Sequence, residues 1–166
     1  MKLTFICDSL APMALFQALR RAGIPTERKP LCRPHPDYAG DGIPGTLTGC
    51  EADFVILLNG RPVAGFRRLS QDEAVLGSIH LPEPPEKELY RRLMDLRLFP
   101  LRSLILEGRL SGKYRMSRPA LYSFQYWCYR NHIFIFHSPN IEGSASILEV
   151  IFRKLQLSTH EPDTRD

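Results

Sequence analysis

The segment from Ala52 to Arg68 constrains the possible folds more than any other, because its pattern predicts two strands joined by a tight turn. Ala52 to Leu58 is short and mostly apolar, as expected of a buried strand. Asn59-Gly60 follows it and is a strong signal for a two-residue hairpin turn. Pro62 has no amide hydrogen, so it suits only the start of the returning strand, Pro62 to Arg68. The sequence therefore predicts an antiparallel strand pair around which the other elements are arranged.

Further strands and helices alternate on both sides of this hairpin. Short apolar runs predict strands at Lys2 to Cys7, Arg102 to Leu106 and Ile133 to His137, and a short second strand is expected within Ile24 to Leu31. Helical periodicity and end signals predict five helices. The first follows Ser9, which would cap it, and has Pro12 in its first turn; the second covers Leu69 to Ile79 and would be capped by Ser70. The other three cover Glu86 to Leu98, Ser117 to Asn131 and Ile141 to Leu157. Pro30 to Gly49 is predicted to be a long loop. The order favours a mixed α/β layer architecture.

Composition sets the broad class of protein. The chain has 166 residues, of which 43% are hydrophobic and 24% charged, which suits one folded domain over 1–157 and excludes a wholly disordered chain. Residues 158–166 are polar and are predicted to form a disordered tail. The formal charge of +4 permits a polyanionic partner without requiring one. We find neither a signal sequence nor an apolar run near the roughly 18 residues of a membrane span, so we expect an intracellular protein with no membrane partner.

Three acids stand at the ends of predicted strands. Asp8 follows the first strand, Asp53 begins the hairpin, and Glu107 ends the strand that starts at Arg102. Strand ends in an α/β sheet converge on one edge, where ligand sites usually form. Three carboxylates there would suit Mg²⁺, which prefers oxygen ligands and can activate water. On spacing alone, ordinary surface acids and caps are the alternative.

The order of motifs adds a family resemblance. The sequence contains Ala52-Asp53-Phe54, then Phe66-Arg67-Arg68, then Asp72 four residues after Arg68. This layout resembles the nuclease domain of the XPF/ERCC4 and Mus81 family, whose core is Gly-Asp, then Glu-Arg-Lys, then Asp four residues after the lysine. Cys7-Asp8-Ser9 and the apolar run ending in Glu107-Gly108 also match in order. The closing helix, strand and helix follow at 120–124, 133–137 and 146–148, so the resemblance covers nearly the whole chain.

The resemblance implies a restriction-endonuclease-like fold of the ERCC4 type, with a mixed central sheet flanked by helices. It implies a catalytic group of Asp8, Asp53, Arg67, Arg68 and Glu107. Mg²⁺ or Mn²⁺ would be held by Asp8, Asp53 and Glu107, with Glu51 as a further candidate ligand. The implied partners are branched or duplex DNA and a second nuclease-family subunit, in a homodimer or a heterodimer.

Two departures from the motif bear on activity. Phe66 stands where the family has a metal-binding glutamate, and it has no oxygen to offer a metal. Arg68 stands where the family has lysine; it stays protonated and cannot act as a base, although it can contact phosphate. The favoured interpretation is a catalytically impaired pseudonuclease that acts on or near branched DNA, alone or as a dimer partner. The alternatives are an active metal-dependent structure-specific endonuclease and a protein-interaction subunit without DNA contact.

A literal Glu27-Arg28-Lys29 also occurs. No Gly-Asp strand precedes it, and no aspartate follows at the family's distance. We therefore interpret this tripeptide as a coincidence and not as the catalytic motif.

The segment between Gly108 and His132 is the candidate DNA-binding surface. It contains no Asp or Glu, and its loop and helix start supply Arg109, Lys113, Arg115 and Arg118 as phosphate contacts. A solvated loop of accidental charge is the alternative. Aromatic residues are interleaved with these cations. Of them, Phe124, Tyr126 and Trp127 are predicted to lie in the core or a dimer interface and not to stack on bases.

Overall fold

The structure is a computed structural model that describes residues 2–31, 52–70, 93–108 and 118–159. Six strands in these ranges form one sheet in the order β2-β1-β3-β4-β5-β6. The strands are β1 Leu3–Asp8, β2 Thr26–Lys29, β3 Phe54–Leu58, β4 Arg61–Ser70, β5 Leu101–Glu107 and β6 Ile133–Ser138. The α-helices are α1 Met13–Arg21, α2 Arg118–Arg130 and α3 Ile141–Ser158, and a short 3-10 helix covers Asp95–Leu98. The predicted mixed α/β architecture is confirmed.

Strand direction places the predicted acids along one side of the sheet. Strand β3 runs antiparallel to β1 and β4, whereas β1 and β2, β4 and β5, and β5 and β6 are parallel pairs. The start of β3 therefore lies on the same side of the sheet as the ends of β1, β4 and β5. Asp8, Asp53 and Glu107 all lie along this side, which we call the acidic edge.

The hairpin forms as its turn residues dictate. Asn59 and Gly60 have φ values of 49° and 79°, and positive φ at both central residues is the turn geometry that matches the twist of a hairpin. The register pairs Phe54 with Phe66, so the two strands predicted from the sequence are confirmed.

Strand β4 continues to Ser70, so the helix predicted to start at Leu69 is wrong at its beginning. Parallel pairing with β5 extends to Ser70 opposite Glu107, and Leu69 is buried in the core. These long-range contacts outweigh the local capping signal of Ser70. The remainder of that predicted helix, including Asp72, lies outside the described residues.

The sheet carries a hydrophobic core on each face. Helices α1 and α3 cover one face, where they pack on strand residues that include Phe5, Phe54 and Phe66. Helix α2 and the 3-10 helix cover the other face, with Phe124 and Phe99 buried against it. Fully burying a side chain of this size contributes roughly 1.5–3 kcal/mol. Strand β4 contributes to both cores, through Ala64 and Phe66 on one face and Leu69 on the other.

The helix boundaries differ in detail from the sequence predictions. Pro12, not Ser9, is the N-cap of α1, and no side chain caps that helix. Ser9 instead donates its backbone amide to the carbonyl of Lys29, which ties it to the sheet. Helix α3 is capped by Asn140, whose side chain accepts the amide of Gly143. It runs through Ser158, the first residue assigned to the tail.

Other predicted segments are described only in part. The helix predicted over Glu86 to Leu98 ends as the 3-10 helix Asp95–Leu98, and its residues 86–92 lie outside the described residues. Residues 32–49 of the predicted long loop and residues 160–166 of the predicted tail also lie outside them. Within the described ranges, no helix has both the length and the apolar character needed to cross a membrane.

Candidate active site

Asp8 fixes the backbone where β1 ends. The side chain is 3% exposed, and its Oδ1 accepts the backbone amide of Leu31 at 2.9 Å. Its Oδ2 accepts the amide of Leu10 at 3.3 Å. Because each carboxylate oxygen binds a backbone amide, Asp8 holds the turn before α1 against the end of β2.

Asp53 is tied to the next strand by similar bonds. Its Oδ2 accepts the backbone amide of Arg68 at 2.7 Å, and its Oδ1 lies 3.7 Å from Nη1 of Arg67. Its own backbone amide donates to the carbonyl of Phe66 at 2.8 Å, and its carbonyl accepts the amide of Asp8 at 2.8 Å. The structure thus brings Asp8, Asp53 and Arg67 together, and the Asp53 side chain remains 22% exposed.

Arg68 and Glu107 form a two-pronged ion pair on the α3 side of the acidic edge. Nε of Arg68 donates to Oε2 of Glu107 at 2.7 Å, and Nη2 donates to Oε1 at 2.5 Å. The two side chains are 11% and 10% exposed, so water screens the pair weakly. Ser144 of α3 donates its hydroxyl to Oε2 at 2.7 Å, and also lies 3.0 Å from the hydroxyl of Ser138. We call Arg68, Glu107, Ser144 and Ser138 the fork network.

The electrostatics of Glu107 follow from these partners. Burial alone would raise the pKa of Glu107. Hydrogen bonds from Arg68 and Ser144, together with the charge of Arg68, outweigh that effect and lower the pKa below its usual 4.5. Glu107 is therefore ionised throughout the neutral range, and its negative charge is balanced by Arg68.

The fork network follows from sheet register and from a close helix approach. Arg68 pairs with Ile105, two residues before Glu107, so the two side chains lie diagonally on the same face of the sheet. Ser144 is fully buried in the first turn of α3. A Cβ at Gly143 would lie 2.7 Å from the hydroxyl of Ser138, so glycine allows this turn to pack against the end of β6.

Sequence reasoning did not find Ser138 or Ser144. The available signal was Asn140 as a helix cap, which would have placed Ser144 in the first turn of the last helix. Which acid that serine reaches depends on the order of strands in the sheet, and no local pattern states that order.

Phe66 belongs to the hydrophobic core and not to a ligand set. Its side chain is 1% exposed and packs in the cluster that contains Phe5, Phe54 and Phe152. The resemblance places a metal-binding glutamate at this position. In this chain the same position is occupied by a ring that extends the apolar core towards the acidic edge.

The predicted metal ligands do not fit a metal site. Within the described ranges, no three His, Cys, Asp or Glu side chains are grouped so that they could hold a metal ion. Asp8 already binds two backbone amides, and both oxygens of Glu107 are engaged by the fork network. Arg67 and Arg68 add positive charge beside the acids, which disfavours a divalent cation. Glu51, the further candidate ligand, lies outside the described residues.

The predicted DNA contacts are described only at one position. Arg118 begins α2, but its side chain is not described, and Arg109, Lys113 and Arg115 lie outside the described residues. Their role stays a prediction.

The literal motif Glu27-Arg28-Lys29 forms the edge strand β2. Lys29 pairs in register with Asp8, yet its amine lies 3.1 Å from Glu27 in an exposed ion pair. Arg28 lies over the ring of Phe16 at 5.5 Å. The three side chains thus have surface partners of their own.

Solved structures with this arrangement of strands and helices include XPF from Aeropyrum pernix, with a TM-score of 0.61 and 13% identity over 95% of this chain and 66% of that chain. A second is XPF from Aeropyrum pernix in complex with DNA, with a TM-score of 0.57 and 16% identity over 99% of this chain and 70% of that chain. No protein-family model and no curated protein matches the sequence. The chain therefore has the nuclease-type α/β fold of these XPF structures, and the resemblance predicted from the motifs is confirmed at the level of the fold. It spans about two thirds of their length.

Proposed function

We propose that this chain is a DNA-binding domain of the ERCC4 nuclease type whose cleavage site is impaired. The observation that carries the proposal is the fork network, in which Arg68 binds both carboxylate oxygens of Glu107. Arg68 occupies the position of the family's lysine, and Glu107 is one of its predicted metal ligands. The two groups that would act on DNA are instead committed to each other.

The chemistry left at the acidic edge is weak for phosphodiester cleavage. A guanidinium stays protonated at any pH the protein tolerates, so Arg68 cannot take a proton from water. Phe66 is buried and offers no oxygen. Each positioned acid–base or electrostatic group contributes roughly 10²-fold or more to rate, so loss of two lowers the rate by about 10⁴-fold. Asp53, at 22% side-chain exposure, is the acid best placed to meet a ligand.

DNA binding is supported by the fold and by charge. One similar XPF structure is a complex with DNA. In this chain, the sequence from Gly108 to Ile141 contains five Lys or Arg and no Asp or Glu. Contacts to phosphates need only such positive charge and do not need a working metal site. We therefore assign branched or duplex DNA as the partner, with a second nuclease-type subunit completing the assembly.

A binding assay across a salt series tests this proposal. Flap, fork and duplex DNA would be titrated with the protein at several salt concentrations, and cleavage with Mg²⁺ or Mn²⁺ would be followed in the same preparation. We expect affinity that falls steeply with salt and no product above background. Absence of binding to every DNA at low salt would contradict the proposal and favour a protein-interaction subunit.

The second candidate is an active endonuclease with a variant site. The partial exposure of Asp53 favours it, because a cation can reach that carboxylate. Under this alternative, the wild type cleaves DNA and Asp53→Ala abolishes the cleavage. Glu149→Ala is the matched control, because it removes an exposed acid of α3 that does not belong to the acidic edge.

A further inference from the structure

We propose that three exposed tyrosines on α2 form a stacking surface for single-stranded DNA, an inference that rests on the proposed DNA-binding role and adds a location to it. Tyr122, Tyr126 and Tyr129 are 62%, 61% and 76% exposed. Spacings of four and three residues place them on one face of the helix. We call these three residues the tyrosine row. Tyr126 was predicted to lie in the core or a dimer interface, and its exposure excludes the core.

The rest of α2 explains why the row is not needed for packing. Phe124 and Cys128 are buried, and Trp127 packs against the same core. Phe124 and Trp127 thus match the core interpretation of these aromatics. Because Phe124 and Cys128 anchor the helix to the sheet, the tyrosine rings on the opposite face are presented to solvent on a rigid support.

Charge around the row matches a polyanion. Arg130 is exposed one residue after Tyr129, and no Asp or Glu occurs between Gly108 and Ile141. Aromatic rings interleaved with cations suit single strands, since bases stack on the rings while phosphates meet the positive charge. A second copy of this chain fits less well. In a two-fold interface this patch would face itself, so its positive charge would meet the same positive charge on the other copy.

Topology connects the row with the acidic edge. Strands β5 and β6 are parallel, so α2 must carry the chain back from the end of β5 at the acidic edge to the start of β6 on the opposite side. Tyr122, in the second turn, is therefore nearest the acidic edge, and Tyr129 is farthest from it. At 1.5 Å per residue the row spans about 10 Å. A single strand that leaves a branched substrate at the acidic edge would continue along the row.

Fluorescence anisotropy with a labelled oligothymidine and an abasic strand of equal length tests the inference. The key variant is Tyr122→Ala/Tyr126→Ala/Tyr129→Ala, beside the corresponding triple Tyr→Phe variant, which keeps the rings. Val150→Ala/Leu157→Ala is the matched control, because it removes exposed apolar side chains from α3. Since stacking contributes roughly 1–3 kcal/mol per base, we expect the alanine variant to bind oligothymidine at least about tenfold more weakly. The Phe variant and the control should bind as the wild type does.

The abasic strand separates stacking from phosphate contact. We expect the wild type to bind it about as weakly as the alanine variant binds oligothymidine. Equal oligothymidine affinity for the wild type and the alanine variant, or equal wild-type affinity for both strands, would overturn the inference. Light scattering that shows a wild-type dimer and a monomeric alanine variant, with unchanged DNA affinity, would assign the row to a contact between copies. If the stacking inference failed but the protein still bound duplex or branched DNA in a salt-sensitive way, the proposed function would remain supported. If the wild type bound no DNA at all, both the proposed function and the stacking inference would be contradicted.

Discussion

The two halves of the acidic edge are held in different ways. Asp8 and Asp53 accept hydrogen bonds from backbone amides, which every residue other than proline provides. Glu107 is held by side chains alone, through Arg68 and Ser144. The first half thus rests mainly on backbone donors, with one side-chain contact from Arg67 to Asp53, while the second depends on particular side chains. Of the two departures that bear on activity, Arg68 lies in the half that side chains hold, and Phe66 lies in the adjoining hydrophobic core.

Restoring the family residues at Phe66 and Arg68 should have the largest effect on stability. Phe66→Glu with Arg68→Lys places a carboxylate in a site that is 1% exposed and replaces the two-pronged contact with Glu107. We expect a loss of about 5 kcal/mol or more in the free energy of unfolding, measured by urea denaturation. Phe66→Leu is the control that stays apolar. A stable double variant that cleaves DNA would show that the acidic edge can still be assembled as a nuclease site.

Glu107→Gln should have the next largest effect. The substitution leaves the guanidinium of Arg68 nearly buried without a countercharge, and breaking such a pair typically costs about 3–5 kcal/mol of stability. Arg68→Met/Glu107→Leu removes both charges and should recover most of the loss. Urea denaturation of the three proteins measures this, and a loss under about 1 kcal/mol for Glu107→Gln would contradict the account.

The half held by the backbone should respond less. Asp8→Ala removes the acceptor for the buried amide of Leu31, and an unsatisfied buried amide costs about 1–3 kcal/mol. Asp8→Asn keeps one acceptor oxygen, so it should lose less. Thermal and urea unfolding of both variants measure the effect. If Asp8→Ala lost more stability than Glu107→Gln, the contrast between the two halves would fail.

Acid should weaken the side-chain half through Glu107. The folded-state pKa of Glu107 lies below its usual 4.5, because Arg68 and Ser144 outweigh the effect of burial. Its stabilising contribution is therefore fully present above the unfolded-state pKa and is lost as pH falls through the lower folded-state pKa. Urea unfolding from pH 7 to pH 3 should show a steeper loss for the wild type than for Arg68→Met/Glu107→Leu. If the free energy of unfolding fell equally with pH in the two proteins, the ionisation of Glu107 would not be the source of the acid sensitivity.

Sequence predicted the features that depend on local chemistry. The hairpin follows from Asn59-Gly60, and the convergence of acids follows from strands that end at Asp8 and Glu107. It did not predict that Arg68 meets Glu107, because these residues are 39 positions apart and their contact depends on β4 lying beside β5. The extension of β4 through Ser70 was missed for the same reason, because it depends on parallel pairing with β5, which is distant in sequence.

Divalent metal binding distinguishes acids that act as structural anchors, which we propose for the acidic edge, from acids that act as metal ligands. Free Mn²⁺ would be followed by electron paramagnetic resonance while the wild type, Asp53→Ala and Glu149→Ala are titrated. We expect the same amount of bound Mn²⁺ for all three proteins. One equivalent bound by the wild type and by Glu149→Ala, and lost in a folded Asp53→Ala, would contradict it.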